Sequence, residues 1–415
     1  MIIPYPKETR ERVIVIARRA ELRDDAHVVG QVTRGGSLPV ESSEEDRYQV
    51  WWKGRGVWVK RADVLPFDRA MDYFTKAIRQ NPNAADFIAR GRLRHENRDF
   101  DGALNDYNQA IRLDSTHAWA YRNRGRVWKA KGEFDKAMAD FDTAVRLDPN
   151  CASAYIDRGI MFDEKGESEK AITDFGTAIE LDPTESSAYY CRGVAWKAQD
   201  DLEAAIIDYT AVIKLDAKKV GAYLNRGNAY HVKGDLDRAM ADYDEAIRIN
   251  PKYTAAFSNR GGIWMVKGNY DHALADFDEA IRLDPTDVLA HSNRGLILCK
   301  KGEFDKALTA CDEAIRLDPK YADAYGNRAR LRATCPDQRF RDGRKAVGDA
   351  KIAHKLSSWS VDTLAVAYAE LGDFNTAIRL QKVALKFAPE ADKKEFQDRL
   401  ELYQAKKPYR EEVKK

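Results

Sequence analysis

Gly91, Gly125, Gly159, Gly193, Gly227, Gly261 and Gly295 recur every 34 residues, and an arginine precedes each of them. An alanine follows each glycine twelve residues on, from Ala103 to Ala307. A fixed period of this length rules out one shared globular core. It dictates a stack of like supersecondary units, each touching only its neighbours. Function in such a stack belongs on long surfaces rather than in one deep pocket.

Each 34-residue unit reads as two helices. With the glycine at position 8, the first repeat starts at Ala84. Position 4 is aromatic in most repeats (Phe87, Tyr121, Tyr155, Tyr189, Tyr223, Phe257), and so is position 11 (Trp128, Phe162, Trp196, Tyr230, Trp264). Spacings of three, four and seven put positions 4, 8 and 11 on one helical stripe. The second helix carries alanine at 20, an aromatic at 24 and alanine at 27, as in Ala171, Phe175 and Ala178. Mid-helix glycine costs about 1 kcal/mol against alanine, so tight contact with a facing helix is expected to offset it. A larger side chain there should overpack by roughly 1–3 kcal/mol. Gly132, Gly166, Gly234, Gly268 and Gly302 are placed to end the first helix in a left-handed residue, and Pro149, Pro183, Pro251, Pro285 and Pro319 stop the second.

These residues resemble the tetratricopeptide repeat: small at 8, aromatic at 11, glycine at 15, alanine at 20, aromatic at 24, alanine at 27 and proline at 32. The resemblance covers residues 84–389, about three quarters of the chain. It implies a mainly α fold, a right-handed α-solenoid of about nine helix-turn-helix repeats. Position 7 departs from the family: it is arginine where leucine is usual. Aspartate recurs at position 23 (Asp106, Asp140, Asp174, Asp208, Asp242, Asp276), which predicts arginine–aspartate hydrogen bonds. The seventh repeat has Ala310 there and serves as a natural control.

Residues 10–65 do not follow the helical period. Val13-Ile14-Val15-Ile16, His27 to Val32, Ser37-Leu38-Pro39-Val40, Tyr48 to Trp52 and Val57-Trp58-Val59 read as strands separated by glycine-rich or polar turns. Their order resembles a bacterial SH3-like domain, a small all-β barrel expected at 1–65. Trp51 points opposite to Trp52 and is expected at the surface, either meeting a ligand or packing on the adjacent helix. Residues 66–83 read as a connecting half-repeat, because Ala70, Phe74 and Ala77 match positions 20, 24 and 27. Seven regular repeats follow at 84–321 and two more at 322–389, the first divergent where Thr334-Cys335-Pro336-Asp337 interrupts it. Residues 390–415 read as a capping helix and a frayed tail. Residues 328–355 hold nine basic and three acidic residues, which suits either an acidic partner or a solvated face.

With 69 basic and 67 acidic residues the formal net charge is +2, so no global field recommends nucleic acid or anionic membrane. The five cysteines form no CxxC, and Cys311, at an aromatic core position, reads as a small buried apolar residue. Residues 1–10 lack a basic start followed by an apolar segment, and no 18-residue apolar run occurs, so no membrane span is expected. A cytoplasmic location is expected, with export left open if the true start lies upstream. The seven histidines make no HExxH pair and no set with cysteine at metal-ligand spacing; there is no P-loop and no GxSxG. No catalytic residue, cofactor or metal is expected, and the chain does not read as an enzyme.

In tetratricopeptide arrays the first helices line the concave face, and positions 2, 5, 6, 9, 12 and 13 meet the ligand. That resemblance places Arg92, Arg122, Asn123, Arg126, Tyr190, Asn225, Asn228, Asn259 and Asn293 in a peptide-binding groove, with Trp51 as an SH3-like surface residue. The recurrent asparagine of position 6 offers both donor and acceptor to an extended peptide, or is simply a surface residue copied with the repeat. The family's chaperone-tail clamp needs lysine at position 5, which no repeat has. The function implied is a non-catalytic scaffold binding a peptide or protein segment. The alternative is an envelope adaptor whose SH3-like domain contacts peptidoglycan or a cell-wall-linked partner.

Overall fold

The computed structural model describes residues 12–16, 19–24, 28–33, 36–52, 55–357, 361–390 and 392–411. They form two compact bodies, Met1–Ala217 and Lys218–Lys415.

The first body opens with strands β1 (Arg12–Val15), β2 (Arg19–Arg23), β3 (Val28–Thr33), β4 (Ser37–Ser43), β5 (Arg47–Trp52), β6 (Arg55–Lys60) and β7 (Val64–Pro66). They pair antiparallel in the order β3-β2-β6-β5-β4-β1-β7. Register shifts at Leu22/Arg23 and Val40/Ser42 let the sheet curl around Val13, Val15, Leu22, Val50, Val57 and Val59. Among the described residues no pairing joins β3 to β7, so the expected closed barrel is seen as a curled half-barrel. Strand β2 was not anticipated: its two buried apolar residues, Ala20 and Leu22, alternate with three charged ones in a run too short to register. Trp51 lies in β5 opposite Gly56, and its side chain lies outside the described residues.

Helix α1 (Phe67–Gln80) buries Ala70 and Phe74 in one cluster with Ile14 of β1 and with Ala89 and Leu93 of the next helix. Four helix pairs follow: α2 (Ala84–Glu96) with α3 (Phe100–Leu113), α4 (Ala118–Ala130) with α5 (Phe134–Leu147), α6 (Ala152–Glu164) with α7 (Ser168–Leu181), and α8 (Ser186–Ala198) with α9 (Leu202–Leu215). The second body continues with α10 (Val220–Val232) and α11 (Leu236–Ile249), α12 (Thr254–Val266) and α13 (Tyr270–Leu283), and α14 (Val288–Lys300) and α15 (Phe304–Leu317). Then come α16 (Ala322–Thr334) and α17 (Gly343–Leu356), α18 (Val361–Leu371) and α19 (Phe374–Phe387), and α20 (Lys393–Gln404). Each body is mainly helical and stacks its pairs in the solenoid manner.

In repeats one to six the position-8 glycine lies against the ring of position 24, and in the seventh Gly295 lies against Cys311 Sγ. A Cβ at Gly159 would stand 2.7 Å from Phe175 Cε1, and one at Gly125 would stand 2.8 Å from Phe141 Cε1. The eighth repeat has Ala329 at position 8, and there position 24 shrinks to Ala350; both are buried in one cluster. The first helices of repeats two and three end at Gly132 and Gly166, with φ of +79° and +77°. Repeats one and four place Arg98 and Asp200 in that left-handed conformation instead.

The arginine of position 7 grips the aspartate of position 23. Arg90, Arg124, Arg158, Arg192, Arg226 and Arg260 each donate Nε and Nη2 to the two oxygens of the aspartate sixteen residues on, at 2.7–3.0 Å. These aspartates are buried, so the fork satisfies a carboxylate that water cannot reach. In the seventh repeat, where Ala310 offers nothing, Arg294 turns to Asp278 of the preceding repeat at 2.6 Å. The eighth repeat absorbs its five-residue interruption and keeps the pair as Arg328–Asp349, at 2.9 and 2.6 Å. The ninth replaces it with Leu364 and Leu380, which share an apolar cluster.

Candidate functional site

In both bodies the first helices of successive repeats lie against one another: α2 on α4, α4 on α6, α6 on α8, and again α10 on α12, α12 on α14 and α14 on α16. No two successive second helices approach as closely. The first helices therefore form one continuous layer in each body, and this layer carries positions 2, 5, 6, 9, 12 and 13.

Several expected groove residues are engaged within the chain. Arg122 donates to Asp157 at 2.6 Å, and Lys129 pairs with Glu164 at 2.9 Å. Two cations of repeat two, Arg122 and Lys129, are thus paired with acids of repeat three. Asn228 Oδ1 accepts from Tyr243 Oη and from Asn259 Nδ2, both at 2.8 Å, so two predicted asparagines and a buried tyrosine close on one another. Tyr190 stacks tilted on Tyr209 with ring centroids 6.0 Å apart. Asn225 and Asn293 are half-buried. Asn123 is buried and donates to Trp119 O of its own helix at 2.8 Å. Arg92, Asn123 and Arg126 do come together, with His95 and Glu96, around a recess of about 160 Å³.

A feature that sequence reasoning missed lies in the second body. The tail past the capping helix, expected to fray, caps α20 with residues 405–407 and then lays Arg410 and Glu411 against the first helices of repeats seven and eight; residues 412–415 lie outside the described residues. Glu411 N donates to Thr334 O at 3.0 Å. Its carboxylate accepts from Lys300 Nζ at 3.3 Å, Arg330 Nε at 3.2 Å and Thr334 Oγ1 at 3.3 Å. Arg410 donates to Ala333 O at 3.2 Å and pairs with Glu370 at 2.7 Å, and Arg399 lies 4.6 Å from the Tyr409 ring centroid. Arg330, Ala333 and Thr334 hold positions 9, 12 and 13, and Lys300 holds position 13 of the repeat before. The basic excess of 328–355 finds acids inside the chain as well: Arg341 pairs with Glu370 at 3.3 Å and Arg332 with Asp349 at 2.5 Å.

Burial pushes the Glu411 carboxyl up, but Arg330 and Lys300 outweigh it and hold the group below its ordinary value of 4.5. A carboxyl lowered in the docked state stabilises docking above that ordinary value, and the contribution is lost as pH falls through the lower one. Hydrogen-exchange protection of the Glu411 amide is therefore expected to be flat from about pH 7 to 5 and to fall below about pH 4. Protection unchanged down to about pH 3 would contradict the ion-pair account.

Burial pushes the Cys299 and Cys311 thiols up to about 12, so both are protonated and inert near neutral pH. Among the described residues no group of three or more His, Cys, Asp or Glu could hold a metal ion, and no helix is long and apolar enough to cross a membrane.

Models of the tetratricopeptide repeat match residues 88–152, 124–186, 156–220, 220–253 and 288–321, and a TPR repeat model matches 265–302. The chain belongs to the tetratricopeptide repeat family. Solved tetratricopeptide structures resemble parts of it. MamA is 28% identical with a TM-score of 0.38, over 39% of this chain and 94% of its own. YrrB, a TPR protein with an unusual peptide-binding site, is 26% identical with a TM-score of 0.39, over 46% of this chain and 98% of its own. Yeast Tom70 is 17% identical with a TM-score of 0.42, over 82% of this chain and 92% of its own. No curated protein matches. Tetratricopeptide repeats are interaction modules, and nothing in the geometry among the described residues points to catalysis.

Proposed function

We propose that this tetratricopeptide repeat chain is a non-catalytic scaffold that binds an extended peptide or protein segment along its first helices. The observation that carries the reading is the end of the tail, Arg410 and Glu411. They lie as a peptide does, with one backbone hydrogen bond to helix α16 and a carboxylate clamped at positions 9 and 13. A groove that holds its own segment this way has the shape and donors to hold another. Arg92, Arg126 and Asn293 are the proposed contacts elsewhere on the first-helix layer. The Asn228–Asn259 pair is proposed to hold a peptide backbone through its remaining donors.

The test uses the segment in trans. A chain ending at Gln404 is titrated with a labelled peptide of residues 405–415. Binding is expected in the range of about 10–500 μM, since tethering at roughly millimolar effective concentration no longer helps. Glu411→Lys in the peptide is expected to weaken it about tenfold or more, because each charge-assisted hydrogen bond contributes about 1.5–3 kcal/mol. The full-length chain should bind the peptide far more weakly, its groove being taken. A truncated chain that stays folded and binds no peptide would sink the proposal.

A further inference from the structure

In the fifth repeat, position 9 supplies the acceptor that a buried hydroxyl needs: Tyr243 Oη and Asn259 Nδ2 both donate to Asn228 Oδ1. The first repeat has Tyr107, Arg92 and Asn123 at the three corresponding places. Arg92 carries only donors, and Asn123 turns its amide to Trp119 O. Tyr107 is fully buried, and among the described residues its hydroxyl has no hydrogen-bond partner.

The charges around this recess are equally one-sided. Among the described residues neither Arg92 nor Arg126 is paired with a carboxylate. Glu96 lines the recess too, but Arg12 of β1 holds it at 3.0 Å. Burial weakens the hold of Arg92 on its proton, and burial together with Arg126 pushes His95 down to about 4, so the histidine is neutral at neutral pH. Two arginines, a neutral imidazole and a buried hydroxyl thus converge around a recess whose one carboxylate, Glu96, is already paired with Arg12. The second body supplies the chemistry that answers such a set. There Arg330, at the same position 9 as Arg92 and Arg126, grips the carboxylate of Glu411.

We propose that the recess bounded by Arg92, His95, Glu96, Asn123 and Arg126 is an acidic-residue subsite, in which a glutamate or aspartate carboxylate of a bound peptide accepts from Arg92 and Arg126 beside the Tyr107 hydroxyl, while Glu96 stays with Arg12. The assignment rests on the groove reading above and adds the class of side chain it selects at its first-repeat end. It differs from the family clamp, which places lysine at position 5.

Fluorescein-labelled hexaglutamate is titrated against the full-length chain at low salt by anisotropy, with hexaserine and inorganic phosphate as separate arms, and the His95 ring is followed by NMR. Hexaglutamate is expected to bind, hexaserine not, and the His95 titration midpoint to move up by about one unit as the carboxylate arrives. Arg92→Gln and Arg126→Gln should each weaken binding about tenfold. Tyr107→Phe should weaken it a few-fold without lowering thermal stability, a combination that a merely structural tyrosine would not give. Hexaglutamate binding that ignores both arginine changes and leaves His95 unmoved overturns the subsite. So does phosphate alone displacing the peptide at submillimolar concentration. A positive trans-peptide result alongside either outcome would retain the groove and remove only this subsite.

Discussion

Changing Asp208 to alanine will destabilise the fourth repeat by about 3 kcal/mol, whereas changing Arg192 and Asp208 together to leucine will cost less than about 1 kcal/mol. Arg192 donates Nε and Nη2 to the two oxygens of Asp208, both at 2.8 Å. The aspartate side chain is 2% exposed and the arginine 24%. Removing the carboxylate strands a largely buried cation with two unmet donors, the situation that makes a broken buried pair so much worse than none. The arginine's partial exposure keeps the loss at the lower end of the usual range of about 3–5 kcal/mol. Replacing both partners removes the desolvation of two charges along with their attraction. The ninth repeat has already taken that route with Leu364 and Leu380. A stack of repeats unfolds unit by unit, so the reading belongs to native-state hydrogen exchange in α8 and α9 rather than to one melting temperature. A double variant as unstable as Asp208→Ala alone would show that the charge pair is not what the repeat depends on.

Gly159→Ala will destabilise the third repeat by about 2 kcal/mol, although alanine is the better helix former by about 1 kcal/mol. The new Cβ would meet Phe175 Cε1 at 2.7 Å and Cδ1 at 3.0 Å, far inside the optimum carbon separation of about 3.5–4.0 Å. The ring cannot retreat cheaply, because Phe175 is buried among Ile156, Ala171, Ala178 and Ala188. Combining Gly159→Ala with Phe175→Leu should give a loss smaller than the sum of the two single losses by about 1 kcal/mol or more, since each change makes room for the other. Ala329 facing Ala350 in the eighth repeat is the same trade made within this chain. Both single variants adding without coupling would mean that the glycine is there for some reason other than the ring.

The helix pairs, their glycine–ring contacts and the arginine–aspartate pairs were legible because the contacts are set by a spacing of sixteen residues that recurs in six successive repeats. A short, repeated separation averages out local ambiguity, and a natural control such as Ala310 sharpens the prediction. The half-barrel was less legible. Arg19–Arg23 is mostly charged, and it becomes a strand because Ala20 and Leu22 join the core enclosed by the curled sheet. The residues expected in a groove lie in the first helices of their repeats, but which of them are engaged within the chain was not readable. Arg122 looked free until Asp157, thirty-five residues away, proved to be its partner. The basic stretch 328–355 invited an outside acid, and the chain supplied Glu370 and Glu411.

What the amino-acid order determined by itself is the architecture: a period of 34, glycine where helices must touch, and charge pairs that return in register. Those features are local, and each repeat carries its own instructions. What only the tertiary structure decided is which first-helix groups are still open to a ligand. Glu411 lies 77 residues from Thr334 and 111 from Lys300, and no periodic rule links them. Among the described residues the Tyr107 hydroxyl has no acceptor, because Arg92, fifteen residues earlier, offers only donors where Asn228 closes the equivalent set. Packing assembles these neighbourhoods from residues whose separate identities do not announce them, and whether a polar group is answered or left over is a property of the assembled neighbourhood.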